Sequence, residues 1–159
     1  MLSQLEKLKC ETDGRYATDA ELKVLEDFMR SYFVRVQAYQ RLQVAEALII
    51  QQVQTKIRES QPELFMHGNT DISSKWKRDT VRVLRYSAIA MLVDDPISLK
   101  DKLLFWFQTI MKAFGAEKSC AVTYSILQDV VRQHLTPTQA SLFCPILEIN
   151  RQVLGACKS

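Results

Sequence analysis

Glycine and proline are scarce in this chain, with four of each in 159 residues. Tight reversals lean on these two residues, so their scarcity argues against the many turns of an all-β fold. Cysteine is equally sparse. Cys10, Cys120, Cys144 and Cys157 are scattered and form no C-x-x-C pair, which leaves structural zinc and thioredoxin-type chemistry without support. A disulfide framework is not expected in a chain long enough to build a core, and a reducing compartment is. No stretch of about 18 apolar residues is present, so no transmembrane helix is expected. The segment Met1–Glu6 carries charge too early to be a signal peptide. Histidine occurs only at His67 and His134. Glu63 and His67 are four apart, but the intervening Leu64-Phe65-Met66 makes no metal motif. Gly-rich phosphate loops, Ser-His-Asp patterns and HExxH helices are lacking, so neither an enzyme nor a metal site is expected. The net charge is +3, and no run of Lys and Arg dominates one element, which argues against a nucleic-acid partner.

What is present is helical periodicity. Leu2, Leu5 and Leu8 outline a short amphipathic helix to about Cys10, broken at Asp13-Gly14. Thr18-Asp19-Ala20-Glu21 is a capping box. Behind it, Leu22, Leu25, Met29, Tyr32 and Val36 share one helical face, and the pattern continues through Val44, Leu48 and Ile49 to about Glu59. That length means two closely joined helices or one bent helix. Pro62 ends it, and residues 61–74 read as a loop holding His67-Gly68-Asn69. Helix resumes from Ser74 to Val93, with Val81, Leu84, Ala88 and Met91 as its buried stripe. Asp95-Pro96 closes it, and Ser98 is a cap for the next helix. That helix carries Leu99, Leu103, Trp106, Phe107, Ile110 and Phe114 on its apolar face and ends at Gly115. Its Leu103–Phe107 run is apolar nearly all round. It fits a helix buried on both sides, or one that offers Phe105 or Trp106 to a subunit interface. Helices from Glu117 to His134 and from Thr136-Pro137 to Ala156 complete the chain, with Pro145 a point of kinking. The fold class is all-α; a four-helix bundle and a globin-like packing both satisfy the pattern.

Several segments resemble the phycobiliproteins, the light-harvesting antenna subunits. These are Gly14-Arg15-Tyr16-Ala17 with Glu21-Leu22, Gly68-Asn69, Arg78-Asp79 with Leu84-Arg85, Asp94-Asp95-Pro96, and the ending Val153-Leu154-Gly155-Ala156. Each alone is weak; their order and spacing together are specific. The resemblance implies a single domain over residues 1–159: a globin-like core at 18–159 preceded by an N-terminal helical extension at 1–17 that docks onto a partner. In that family Glu11, Tyr16 and Arg85 match positions at the subunit interface. The implied partner is a phycobiliprotein subunit, in a heterodimer or higher assembly, or a second copy through self-association. The implied setting is the cytoplasmic side of the thylakoid, the cytoplasm of a cyanobacterium, or a plastid stroma.

The same resemblance locates a bilin pocket on the helix containing Lys75-Trp76-Lys77-Arg78-Asp79. The family carries its bilin on a cysteine two positions before the Arg-Asp pair; here that position is Trp76, so no thioether forms there. Arg82-Val83 replaces the family's Tyr-Tyr, and the loop from Asn69 to Trp76 is short. By resemblance Asp79 receives the pyrrole N–H groups and Arg78 a propionate. Lys75, Arg82, Trp76 and Asn69 complete the candidate set. Three outcomes follow: a bilin held noncovalently, a bilin-free docking module whose pocket Trp76 fills, or an ordinary ion-paired surface. The bilin-free module is the favoured expectation. A sensory globin relative with a small apolar ligand is the third functional class. Haem is not expected, because the helix from Leu99 to Phe114 has no histidine.

Overall fold

The structure, a computed structural model, describes residues 1–156. Cys157 lies outside the described residues. Seven helices account for most of it: α1 (Leu2–Glu11), α2 (Asp19–Ser60), α3 (Ser73–Leu92), α4 (Pro96–Leu99), α5 (Phe105–Ala113), α6 (Glu117–His134) and α7 (Pro137–Leu154). A 3-10 turn at Pro62–Phe65 follows α2, and a π-helical segment at Lys100–Leu104 joins α4 to α5. The all-α class is as the sequence indicates.

Helix α2 is one element of 42 residues, because no proline or glycine occurs between Gly14 and Pro62. The Thr18 hydroxyl accepts from the Glu21 amide while the Glu21 carboxylate accepts from the Thr18 amide, so two end groups are satisfied at once. Gly115, at φ 63°, ends α5. Its amide donates to the Lys112 carbonyl, and the Ala116 amide reaches the Met111 carbonyl, which is the Schellman arrangement. Thr136 and Gln139 form a second capping box with Pro137 in the first turn of α7. That helix continues through Pro145.

Four details differ from the sequence reading. Residues 66–71 form a two-stranded hairpin, β1 (Met66–His67) and β2 (Thr70–Asp71), rather than a plain loop. Gly68, at φ 58°, makes its two-residue turn sterically accessible. Asp95, not Ser98, caps α4; its carboxylate accepts from the Ser98 amide at 3.1 Å. The stripe assigned to α2 is only partly buried: Val44 is 88% exposed, whereas Ala38, Leu42, Ile49, Ile50, Val53 and Ile57 form the core row. Phe105, Trp106 and Phe114 are more than half exposed, so the α5 run is not covered on both sides. An apolar run carries no periodicity, and tertiary packing decides which of its sides is covered.

The core is built by α2, α3, α6 and α7 around Phe143, Leu127, Met91 and Leu147. Asn150 lies inside it, donating from Nδ2 to the Ser87 hydroxyl at 2.7 Å. Helix α1 has no buried residue, and neither has α2 before Arg35. These two stretches form a hairpin tied to the body at its base. The Ser3 hydroxyl and amide donate to the Asp95 carboxylate at 2.9–3.0 Å. Arg35 pairs with Asp94 at 3.1 Å and donates to the Met91 carbonyl. No helix among the described residues is long and apolar enough to cross a membrane.

Candidate functional site

Helix α3 presents two faces. One supplies Val83, Leu84, Ser87 and Met91 to the core. The other, starting at Lys75, edges a cleft of about 340 Å³ closed by α5 and α6. That volume lies in the range of small-molecule sites, roughly 300–1,000 Å³. Of the residues singled out in the sequence, Lys75, Trp76, Arg78, Asp79 and Arg82 all line it. Asn69 does not; it stays in the hairpin turn.

Trp76 is 9% exposed. Its indole Nε1 donates to the Thr123 hydroxyl at 2.9 Å, and its ring meets Phe65 edge-on at 5.2 Å between centroids. The side chain is therefore a wall fixed to α6, and it leaves the cleft open beside it. Across the cleft Arg82 stacks over Trp106 at 5.5 Å, a cation–π contact at the rim. Arg78 and Asp79 approach at 3.8 Å, but Arg78 is three-quarters exposed, so this neighbour contact holds little in place. Phe107, Ile110, Met111 and Phe114 supply the apolar side.

Three groups on α6 reach the same cleft without any signal in local sequence. Thr123 holds the Trp76 indole. Tyr124 is 2% exposed and lines the cleft; burial, followed by the nearby Cys120 and Asp79, pushes its phenol well above the ordinary value and keeps it protonated. Cys120 also lines the cleft, although none of the cysteines is near the Arg-Asp pair in sequence. Burial, then the charges of Glu117 and Asp79, pushes its thiol up to about 12, so it is a poor nucleophile in this state. A long-range contact between α3 and α6 is invisible to motif spacing.

The cleft brings together a carboxylate at Asp79, cations at Lys75, Arg78 and Arg82, and the aromatic rings of Trp76, Trp106 and Phe107. Among the described residues no group of three or more His, Cys, Asp or Glu is placed to hold a metal ion.

The interface candidates lie apart from the cleft. Glu11 pairs with Lys7 at 3.6 Å. Tyr16 is 97% exposed in the turn between α1 and α2. Arg85 is bound within its own chain by a bidentate pair with Glu46, at 2.6 and 2.7 Å. The turn is held by Arg15, which grips Glu21 with both terminal nitrogens and lowers that carboxyl to about 2.

The model of one protein family, described as phycobilisome protein, matches residues 8–154. The match takes in the outer part of α1, the cleft and the whole core. The helical architecture agrees with the globin-like fold of phycobiliproteins. No curated protein matches the sequence significantly.

Proposed function

We propose, from the premise that this chain belongs to the phycobilisome protein family, that it is a non-catalytic antenna subunit or assembly module that docks onto a phycobiliprotein through its N-terminal hairpin. The observation that carries this is the hairpin's unpartnered apolar surface. Leu2, Leu5, Leu22, Val24, Met29, Tyr32 and Phe33 are all exposed there, and Phe33 is 74% exposed. Isolated exposed apolar residues are ordinary, but Leu22, Met29, Tyr32 and Phe33 recur at helical spacing along one side of α2, and such a series marks a contact surface. Tyr16 at the hairpin's tip adds an aromatic anchor of the kind enriched at interfaces. The setting is the peripheral antenna at the thylakoid surface.

Copurification tests the proposal. The tagged chain is coexpressed with an allophycocyanin subunit pair and captured. Stoichiometric retention of a phycobiliprotein subunit, lost in Phe33→Glu, supports docking. Equal retention by both forms, or none by either, refutes it.

A second reading rests on the open cleft: a bilin is bound there noncovalently. Asp79, Arg78, Lys75 and Trp76 would hold it, and the group would supply visible absorption and excitation transfer. Coexpression with a bilin-synthesis pathway separates the readings. Colour that is lost on a denaturing gel means noncovalent binding. A colourless protein that still captures its partner means docking without pigment.

A further inference from the structure

The chain's positive charge is concentrated on helix α3. Its Lys75, Lys77, Arg78, Arg82 and Arg85 are all exposed and stand against the single acid Asp79, a net +4 on one helix in a chain whose total is +3. Arg85 is held by Glu46, and Arg78 touches Asp79. Lys75, Lys77 and Arg82 form no ion pair among the described residues, so much of this charge has no counter-ion within the chain.

Helix α5 turns an apolar face outward beside it. Lys102, Phe105, Trp106, Thr109 and Lys112 are exposed at steps of three and four residues, which puts them on one side of the helix. Phe105 and Trp106 are 52% and 53% exposed, and Phe114 beyond the helix end is 62% exposed. The one acid between Pro96 and Gly115 is Asp101, which stands between Lys100 and Lys102. The basic and aromatic faces meet: Arg82 stacks on Trp106 at 5.5 Å, and both line the same cleft.

This mixture of side chains discriminates between partners. Lysine is depleted at protein–protein interfaces. A helix lying on a bilayer instead carries Lys and Arg for the headgroups and Trp and Phe for the boundary of the acyl chains. Lysines flank the Phe105-Trp106 pair on both sides, and their long stems let the charge reach headgroups while the rings sit deeper. We propose that this face rests on an anionic bilayer surface, with Phe105 and Trp106 at the headgroup boundary and Lys77, Arg78, Lys102 and Lys112 on anionic headgroups. The contact uses no residue of the hairpin, so it stands apart from docking to a phycobiliprotein.

Vesicle cosedimentation of the full chain at low salt is the test. Phosphatidylcholine vesicles with roughly one-third phosphatidylglycerol should pellet the wild type, pure phosphatidylcholine should not, and added salt should release it. Each cation contributes about a fivefold gain in partitioning, so Lys77→Gln with Lys102→Gln and Lys112→Gln should weaken binding roughly a hundredfold. All three lysines are exposed, so circular dichroism should be unchanged. Brominated acyl chains should quench the wild-type tryptophan emission, and Trp106→Phe should abolish the quenching because Trp76 is buried. Phe33→Glu, which alters the hairpin, should bind vesicles as the wild type does. Failure to bind anionic vesicles, equal binding to neutral ones, a lysine variant that binds like the wild type, or unquenched emission from bound wild type overturns the proposal. Loss of binding in Phe33→Glu moves the contact to the hairpin and overturns it too. Capture of a phycobiliprotein subunit that the lysine variant loses, with vesicles bound by neither form, overturns it in favour of a protein partner.

Discussion

Replacing Trp76 separates a wall of the fold from a surface ligand group. The indole is almost wholly buried, meets Phe65 edge-on and donates to Thr123. Truncation of such a side chain to alanine costs about 3–5 kcal/mol. For a chain of this size each kcal/mol moves the melting point by roughly 2–4 °C, so Trp76→Ala should melt roughly 6–20 °C below wild type. Trp76→Phe keeps an aromatic ring but loses the N–H donor and part of the buried indole, about 1–3 kcal/mol, or roughly 2–12 °C. Thermal unfolding followed at 222 nm measures both. Fluorescence supplies an independent readout, because Trp76 and the half-exposed Trp106 are the two tryptophans of the chain. Trp106→Phe should leave a blue-shifted, buried emitter and Trp76→Phe a red-shifted, solvated one. An alanine variant melting within a degree or two of wild type would refute the placement of Trp76, since exposed substitutions stay within about 0.5 kcal/mol.

Acid should release the N-terminal cap of α2. The Glu21 carboxyl is held down to about 2 by Arg15 first and then by Thr18, so its cap is complete above its ordinary value near 4.5 and is lost as pH falls toward 2. Amide shifts of residues 18–22 should titrate in that window while core amides hold; simultaneous change would contradict it. Ser87→Ala leaves the buried Asn150 amide without its acceptor and should cost about 1–3 kcal/mol by urea denaturation, whereas a neutral result would mean the pair is not buried as described. A thiol probe should label the exposed Cys10 far faster than Cys120 in a Cys157→Ser background, because burial and neighbouring acids hold the Cys120 thiol protonated. Equal rates would show that the cleft opens to solvent.

The helices were legible in the sequence because their signals are local. The Thr18 and Thr136 caps, the Gly115 stop and the unbroken stretch before Pro62 are read within a few residues, and each appears in the structure. The cleft was legible on one side only. Lys75, Trp76, Arg78, Asp79 and Arg82 come from a single helix, so spacing places them together. Cys120, Thr123 and Tyr124 come from another helix about 40 residues on, and only packing brings them there. Burial was read least well where apolar residues occupy several sides of one helix. Val44 and Leu48 belong to the same periodic pattern as Ile49, yet only Ile49 faces the core. A sequence records that a residue is apolar, and not whether its own chain or a partner covers it. Asn69 followed the resemblance to the loop before α3; the tight turn at Gly68 keeps it outside the cleft.

The central claim is that the hairpin docks this chain onto a phycobiliprotein. Its most direct measurement is size-exclusion chromatography of the purified chain mixed with a phycobiliprotein subunit, beside the Phe33→Glu form. The account predicts coelution for the wild type and separate peaks for the variant, with identical melting points. Separate elution of the wild-type chain, or coelution of both forms alike, would contradict it.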